Sequence, residues 1–159
     1  MTHTVIDTGA SRSFPAPHAL LHSAAANAEI VVIIGAKAGE AFRALREPDS
    51  KKAIAIELGT ECLGVHTGEN RGEEGSNVLG FARFRLGEAE PTNLVELVKQ
   101  PETDLGALAA VKGTFESAGL VVAICGDFPG RILDRLLRPY FNAALRRLDE
   151  RLAPVSMTL

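Results

Sequence analysis

The sequence predicts an α/β domain: a mostly parallel sheet with flanking helices and a long C-terminal helix. Three observations predict it. Glu29 to Ile34 is a β-branched run that passes through Gly35-Ala36-Lys37-Ala38-Gly39 into a helical stretch, Glu40 to Arg46, and a second short apolar run follows at Ala53 to Ile56. Leu120 to Cys125 is another apolar run, and it leads through Gly126-Asp127-Phe128-Pro129-Gly130 into a long amphipathic pattern from Arg131 to Leu152. The 159 residues, 46% of them hydrophobic, are enough for one domain with a sizeable core.

Met1 to Pro17 mixes Thr, Ser, Gly and Pro without periodicity and reads as a loosely held arm. His18 to Ala28 is small, Ala-rich and helical in character. Glu29 to Ile34 and Ala53 to Ile56 read as buried strands around the Glu40 to Arg46 helix, which Pro48-Asp49-Ser50 breaks; together they form a βαβ unit. Gly59 to Asn77, rich in Gly and Glu, reads as a loop or mobile flap. Val78 to Phe84 and Leu94 to Val98 are strands separated by the turn-forming Gly87 to Thr92. Thr103-Asp104 caps a helix that runs to about Ala118 and ends at Gly119. Leu120 to Cys125 then reads as a buried strand. On the terminal helix Ile132, Leu133, Leu136, Leu137, Phe141, Ala144, Leu145, Leu148 and Leu152 recur at three- and four-residue steps and define one apolar face. Residues 1–28 are thus an arm and short helix, 29–128 the sheet domain, and 129–159 the start of a helical region.

Several functions are disfavoured. A net charge of -3 with acids and bases interspersed leaves no electrostatic footprint for nucleic acid. No apolar run approaches the roughly 20 residues that span a bilayer, and no basic segment with an apolar core opens the chain, so a cytoplasmic location is expected. Cys62 and Cys125 match no metal-ligand spacing and read as reduced structural thiols; no metal site is expected.

The glycine turn is the first place where chemistry is suggested. A dinucleotide fold seats its pyrophosphate on free amides at a helix N-terminus after a glycine-rich turn. Here Gly35 and Gly39 are present, Lys37 stands in place of the second glycine, and the spacing is one residue short. Glu57 closes the next strand about 20 residues on, where such folds place an acid against the ribose. Lys37 could meet a phosphate as a point charge. The alternative is a purely structural αβ turn.

The segment Asp127-Phe128-Pro129-Gly130-Arg131-Ile132-Leu133-Asp134-Arg135-Leu136-Leu137-Arg138-Pro139-Tyr140-Phe141-Asn142 resembles the junction of the 3-hydroxyacyl-CoA dehydrogenases. There a D-x-P-G turn joins the last strand of the nucleotide domain to the first helix of the dimerisation domain. Asn93-Leu94-Val95-Glu96-Leu97-Val98, with Pro101-Glu102-Thr103-Asp104 and its helix, resembles the family's L-V-E strand and following helix. The match runs from about Val78 to Ala153; the N-terminal half resembles only a shortened nucleotide-binding domain. The resemblance implies a reduced Rossmann-like fold, NAD as cofactor, an acyl-CoA ligand, and association into a homodimer or with another chain through Arg131 to Leu152.

Family members pass hydride to NAD while a histidine takes the hydroxyl proton. A glutamate orients that histidine, and a serine and an asparagine bind the reacting oxygens. By resemblance Glu96 matches the glutamate, Asp134 stands at the asparagine, and Thr60 in Gly59-Thr60-Glu61-Cys62-Leu63 is the one hydroxyl available for the serine. The histidine of the family's G-x-H-F-F-N-P is replaced by Ala82 in Gly80-Phe81-Ala82-Arg83-Phe84-Arg85-Leu86. Alanine cannot move a proton. His66, in a Gly-rich segment, reads either as a solvated loop histidine or as a substitute base. The resemblance therefore implies a dehydrogenase-family protein, impaired or inactive at position 82. The alternatives are an active enzyme with a substitute base and a non-catalytic dimerisation or CoA-binding module.

Overall fold

A computed structural model describes residues 2–22, 25–68 and 76–150. The strands are β1 (Thr4–Asp7), β2 (Ile30–Ile34), β3 (Ala53–Glu57), β4 (Val78–Arg83), β5 (Leu94–Lys99) and β6 (Val121–Gly126). The helices are α1 (Ala19–His22), α2 (Ala38–Arg43), α3 (Gly64–Thr67), α4 (Leu105–Ser117) and α5 (Ile132–Asp149), with a 3-10 turn at Pro48–Ser50. All six strands lie in one sheet in the order β1-β2-β3-β4-β5-β6, so each neighbours its predecessor in the chain. Only β4 and β5 pair antiparallel.

Side chains alternate between the two faces of a strand, and both faces here are covered. One face packs Val32, Ile34, Leu79, Phe81 and Leu97 against Leu20 of α1 and Val111 and Phe115 of α4. Phe115 meets Phe81 edge-on, with ring centroids 5.0 Å apart. The other face packs Val31, Ile33, Ile54, Ile56 and Val98 against Ala38 and Phe42 of α2 and against Leu63. This double cover is why β2 and β3 are buried at every position and read as unbroken apolar runs. Asp104 caps α4 by accepting the Ala107 amide at 2.8 Å, and Gly119 ends the helix at φ +86°.

Four expectations change. Residues 4–7 are not part of a loose arm: Thr4-Val5-Ile6-Asp7 pairs in register with β2, and His3 and Phe14 are buried. The run is short and lies among turn formers, yet an edge strand needs one neighbour only, and the β-branched Thr, Val and Ile supply it. Of His18 to Ala28 only Ala19–His22 is helical, with residues 23–24 outside the described residues. The run at Leu120 to Cys125 is not a buried strand, because β6 closes the sheet as its other edge and Val121 is 62% exposed. The expected loop Gly59 to Asn77 contains α3, and residues 69–75 lie outside the described residues, as do 151–159. No residue of α5 is buried, so its apolar face stands uncovered by the described residues.

Candidate active site

Ala82 on β4 lies directly opposite Glu96 on β5 in the antiparallel ladder. Across such a pair the Cβ atoms stand about 4.5–5.5 Å apart and point to the same face. Glu96 is only 2% exposed, and both of its oxygens are engaged: Oε2 accepts the Ile132 amide and Oε1 the Leu133 amide, each at 2.8 Å. These are free donors of the first turn of α5, whose N-cap residue, Arg131, makes no side-chain cap. The glutamate that the resemblance assigns to orienting a base therefore caps the terminal helix.

The two other residues assigned by resemblance join the same place. Thr60 and Asp134 line a cleft of about 40 Å³ together with Ala82, Glu96, Arg12 and Arg131. The cleft thus brings together Glu96, Asp134, Thr60 and Ala82. A water needs roughly 10–15 Å³, so the cleft has room for a small polar group.

The junction motif is tied down by backbone contacts that its residue types alone do not reveal. Asp127 accepts the Leu63 and Gly64 amides, each at 2.8 Å. The Gly130 amide donates to the Thr60 carbonyl at 3.3 Å, and Arg131 donates through Nη2 to the Glu61 carbonyl. The D-x-P-G turn thus grips residues 60–64, which is how a loop after β3 comes to wall a cleft beside β4 and α5.

The glycine turn is built differently from a phosphate cradle. Gly35 sits at φ +102°, and a Cβ there would strike the Gly9 carbonyl and Thr8 Oγ1. The turn after β1 occupies the space that a glycine would leave for a phosphate. The amides are also spoken for. Gly35 N–H donates to Glu57 Oε2 at 2.6 Å, Ala36 N–H to the Gly9 carbonyl at 2.8 Å, and Lys37 N–H to Thr8 Oγ1 at 3.1 Å. Glu57 uses its second oxygen on the Ser13 amide at 2.7 Å, so it has no free oxygen for a ribose. Gly39 accommodates the His66 ring against its Cα. Lys37 is exposed on the rim of a groove of about 480 Å³ that Gly35, Gly39, Glu57, Arg12, Arg43 and His66 also line.

His66 is not the solvated loop histidine its neighbours suggest. Its side chain is 10% exposed, Nε2 lies 3.4 Å from Glu61 Oε1, and Nδ1 is buried without a hydrogen-bond partner. Burial acts to raise the Glu61 carboxyl. Hydrogen bonds from the Glu61 and Gly59 amides and from His66 outweigh it and hold the group below the usual carboxylate range. Neither Cys62 nor Cys125 is in a disulfide, and burial pushes the Cys125 thiol up, with Glu96 adding to the effect. Among the described residues no three or more His, Cys, Asp or Glu side chains are grouped to hold a metal ion, and no helix is long and apolar enough to cross a membrane.

No family model matches the sequence, and the comparison with curated proteins finds no match. Solved structures do match. FadB2 of M. tuberculosis is 24% identical over 80% of this chain and 46% of its own, with a TM-score of 0.60. The 3-hydroxybutyryl-CoA dehydrogenase of Escherichia coli K12 is 22% identical over 80% of this chain and 27% of its own, with a TM-score of 0.61. An NAD+-dependent dismutase, 5-formyl-3-hydroxy-2-methylpyridine 4-carboxylic acid 5-dehydrogenase, is 14% identical over 80% of this chain and 42% of its own, with a TM-score of 0.60. The chain spans less than half the length of each of these proteins. Over four-fifths of its residues it has the Rossmann-like fold found in 3-hydroxyacyl-CoA dehydrogenases.

Proposed function

We propose that this chain is a 3-hydroxyacyl-CoA dehydrogenase-like protein that has lost the oxidoreductase step and serves as a non-catalytic module for ligand and partner binding. The observation that carries the reading is Ala82 opposite Glu96. A general base must reach the proton it removes and hold a pKa near the working pH; a methyl group does neither. The carboxylate that would orient an imidazole is bound to the first amides of α5.

NAD does not fit the residues present. The turn amides at Gly35, Ala36 and Lys37 are occupied, and so is Glu57. A doubly wound dinucleotide fold also reverses its strand order at the binding crevice. Here the order of the described strands runs from β1 to β6 without reversal.

An acyl-CoA thioester remains the ligand class suggested by the E. coli dehydrogenase. Partner binding is assigned to α5, where Leu136, Tyr140, Phe141, Leu145 and Leu148 are exposed. Tyr140 is 76% exposed. A homodimer through this helix is the form this reading expects.

The test is NADH oxidation with acetoacetyl-CoA by the purified chain. The expected result is no turnover above buffer. Turnover that disappears in a folded Glu96→Gln variant would overturn the reading. The competing reading, an active oxidoreductase with a substitute base, is favoured by the packing of His66 against Glu61. It would be supported by turnover that His66→Ala removes. Against it, His66 lines the groove beside α2 and not the cleft at Ala82.

A further inference from the structure

We propose that the cleft beside Ala82 is a binding site for an oxyanion, a carboxylate or phosphate group, held by the guanidinium of Arg131. The inference stands on the cleft and does not depend on whether the chain turns over NADH. Arg131 is 6% exposed. One of its nitrogens, Nη2, donates to the Glu61 carbonyl, while Nε is buried with no hydrogen-bond partner. Among the described residues it forms no ion pair with any carboxylate. A guanidinium withdrawn from water is strongly disfavoured unless an anion compensates it.

The acids in the cleft do not fill that role by contact. Glu96 has each oxygen on a backbone amide, and Asp134 makes no ion pair among the described residues. The remaining wall adds positive charge. The Arg83 guanidinium is bound to the carbonyls of Ser13, Pro91 and Thr92, and Arg12 is exposed with no hydrogen-bond or ion-pair partner among the described residues. Four arginines therefore face two carboxylates, and only Arg85 has a carboxylate partner, Glu88.

Size selects the ligand group. About 40 Å³ admits the head of a carboxylate or phosphate and little more. Thr60 and Asp134 also line a larger groove of about 510 Å³ along α5, walled by Pro129, Arg135, Arg138 and Asn142, where the body of such a ligand would lie. A planar guanidinium presents paired donors that match both kinds of oxyanion, so the two sources are separated by experiment.

The test is titration calorimetry of the full chain with succinate and, separately, inorganic phosphate, at constant ionic strength balanced by chloride. Saturable binding of at least one probe is expected, and the probe that binds identifies the source. Arg131→Gln should weaken that binding about tenfold or more. Because Arg131 also holds the Glu61 carbonyl, Arg12→Gln at the exposed mouth is the control: it should fold as the parent and weaken binding by a factor of a few. Absence of saturable binding for both probes at millimolar concentration would overturn the proposal. So would binding that both variants leave unchanged, or that chloride alone abolishes.

Discussion

Ala82 and Glu96 face each other across the β4–β5 ladder, and the Glu96 carboxylate reaches past the alanine to the first two amides of α5. The carboxylate that the resemblance pairs with a histidine thus stands opposite a methyl group and is held by backbone amides. Glu96→Gln replaces one of the two accepting oxygens with an NH2 group aimed at a backbone donor. The expected loss is about 1.5–3 kcal/mol of unfolding free energy, the scale of a hydrogen bond to a charged group, read from urea denaturation. Ala82→His alone should not create dehydrogenase turnover, because both Glu96 oxygens are held by α5 amides; activity in that variant would show that Glu96 can still orient a base.

Gly35 holds a conformation at φ +102° that side chains rarely adopt, and the turn after β1 fills the space around it. Gly35→Ala should cost about 2–5 kcal/mol, from the disfavoured backbone and the overpacking together. Lys37 is exposed, so Lys37→Ala should change stability by less than about 0.5 kcal/mol. Chemical denaturation of both variants separates the two. Calorimetry with NAD should show no tight binding in the parent; tight binding unaffected by Lys37→Ala would remove any role of that side chain in phosphate contact.

Acid should destabilise the fold from two sides. Glu61 is held below its ordinary 4.5, so its contribution is present above that value and is lost as pH falls through its depressed folded value. His18 is lowered from 6.5, chiefly by burial and then by Arg83, so the unfolded chain binds its proton first and stability also falls as pH drops below 6.5. Scanning calorimetry from pH 7 downward should show a falling Tm, with the lower part of the decline shallower in Glu61→Gln.

The exposed apolar side chains of α5 should drive concentration-dependent association in sedimentation velocity, and Leu145→Asp should abolish it. A parent that stays monomeric at every concentration with α5 helical would count against association through this helix.

Much of the sheet was legible because its signals are local. Ile30–Ile34 and Ala53–Glu57 are β-branched or small apolar runs buried on both faces, and Asp104 and Gly119 mark the ends of α4 by cap chemistry. β1 was not legible, since a four-residue edge strand among Ser, Thr and Gly resembles a turn-rich arm. The exposure of β6 was missed for the opposite reason: Val121-Val122-Ala123-Ile124 has the composition of a central strand, and only the strand order reveals it as an edge. In the site, the grouping of Thr60, Ala82, Glu96 and Asp134 followed from the resemblance. What their oxygens bind did not, because a carboxylate that accepts backbone amides is written in the same letter as one that orients a base. Glu57, Glu96 and Asp127 each spend both oxygens on main-chain N–H groups from distant segments. Arg131 carried no signal beyond its place in the motif.

The unreversed strand order has a kinetic consequence. Because every strand is laid beside the one synthesised just before it, no strand must wait for a sheet neighbour remote in the chain, and each addition closes only the loop between consecutive strands. Proteins whose contacts are close in sequence fold faster than those that pair distant segments. The sheet can therefore grow strand by strand as the chain emerges, with a single advancing edge from β1 to β6. Residues 127–133 follow β6 and latch the finished edge back onto the loop after β3 through Asp127, Gly130 and Arg131.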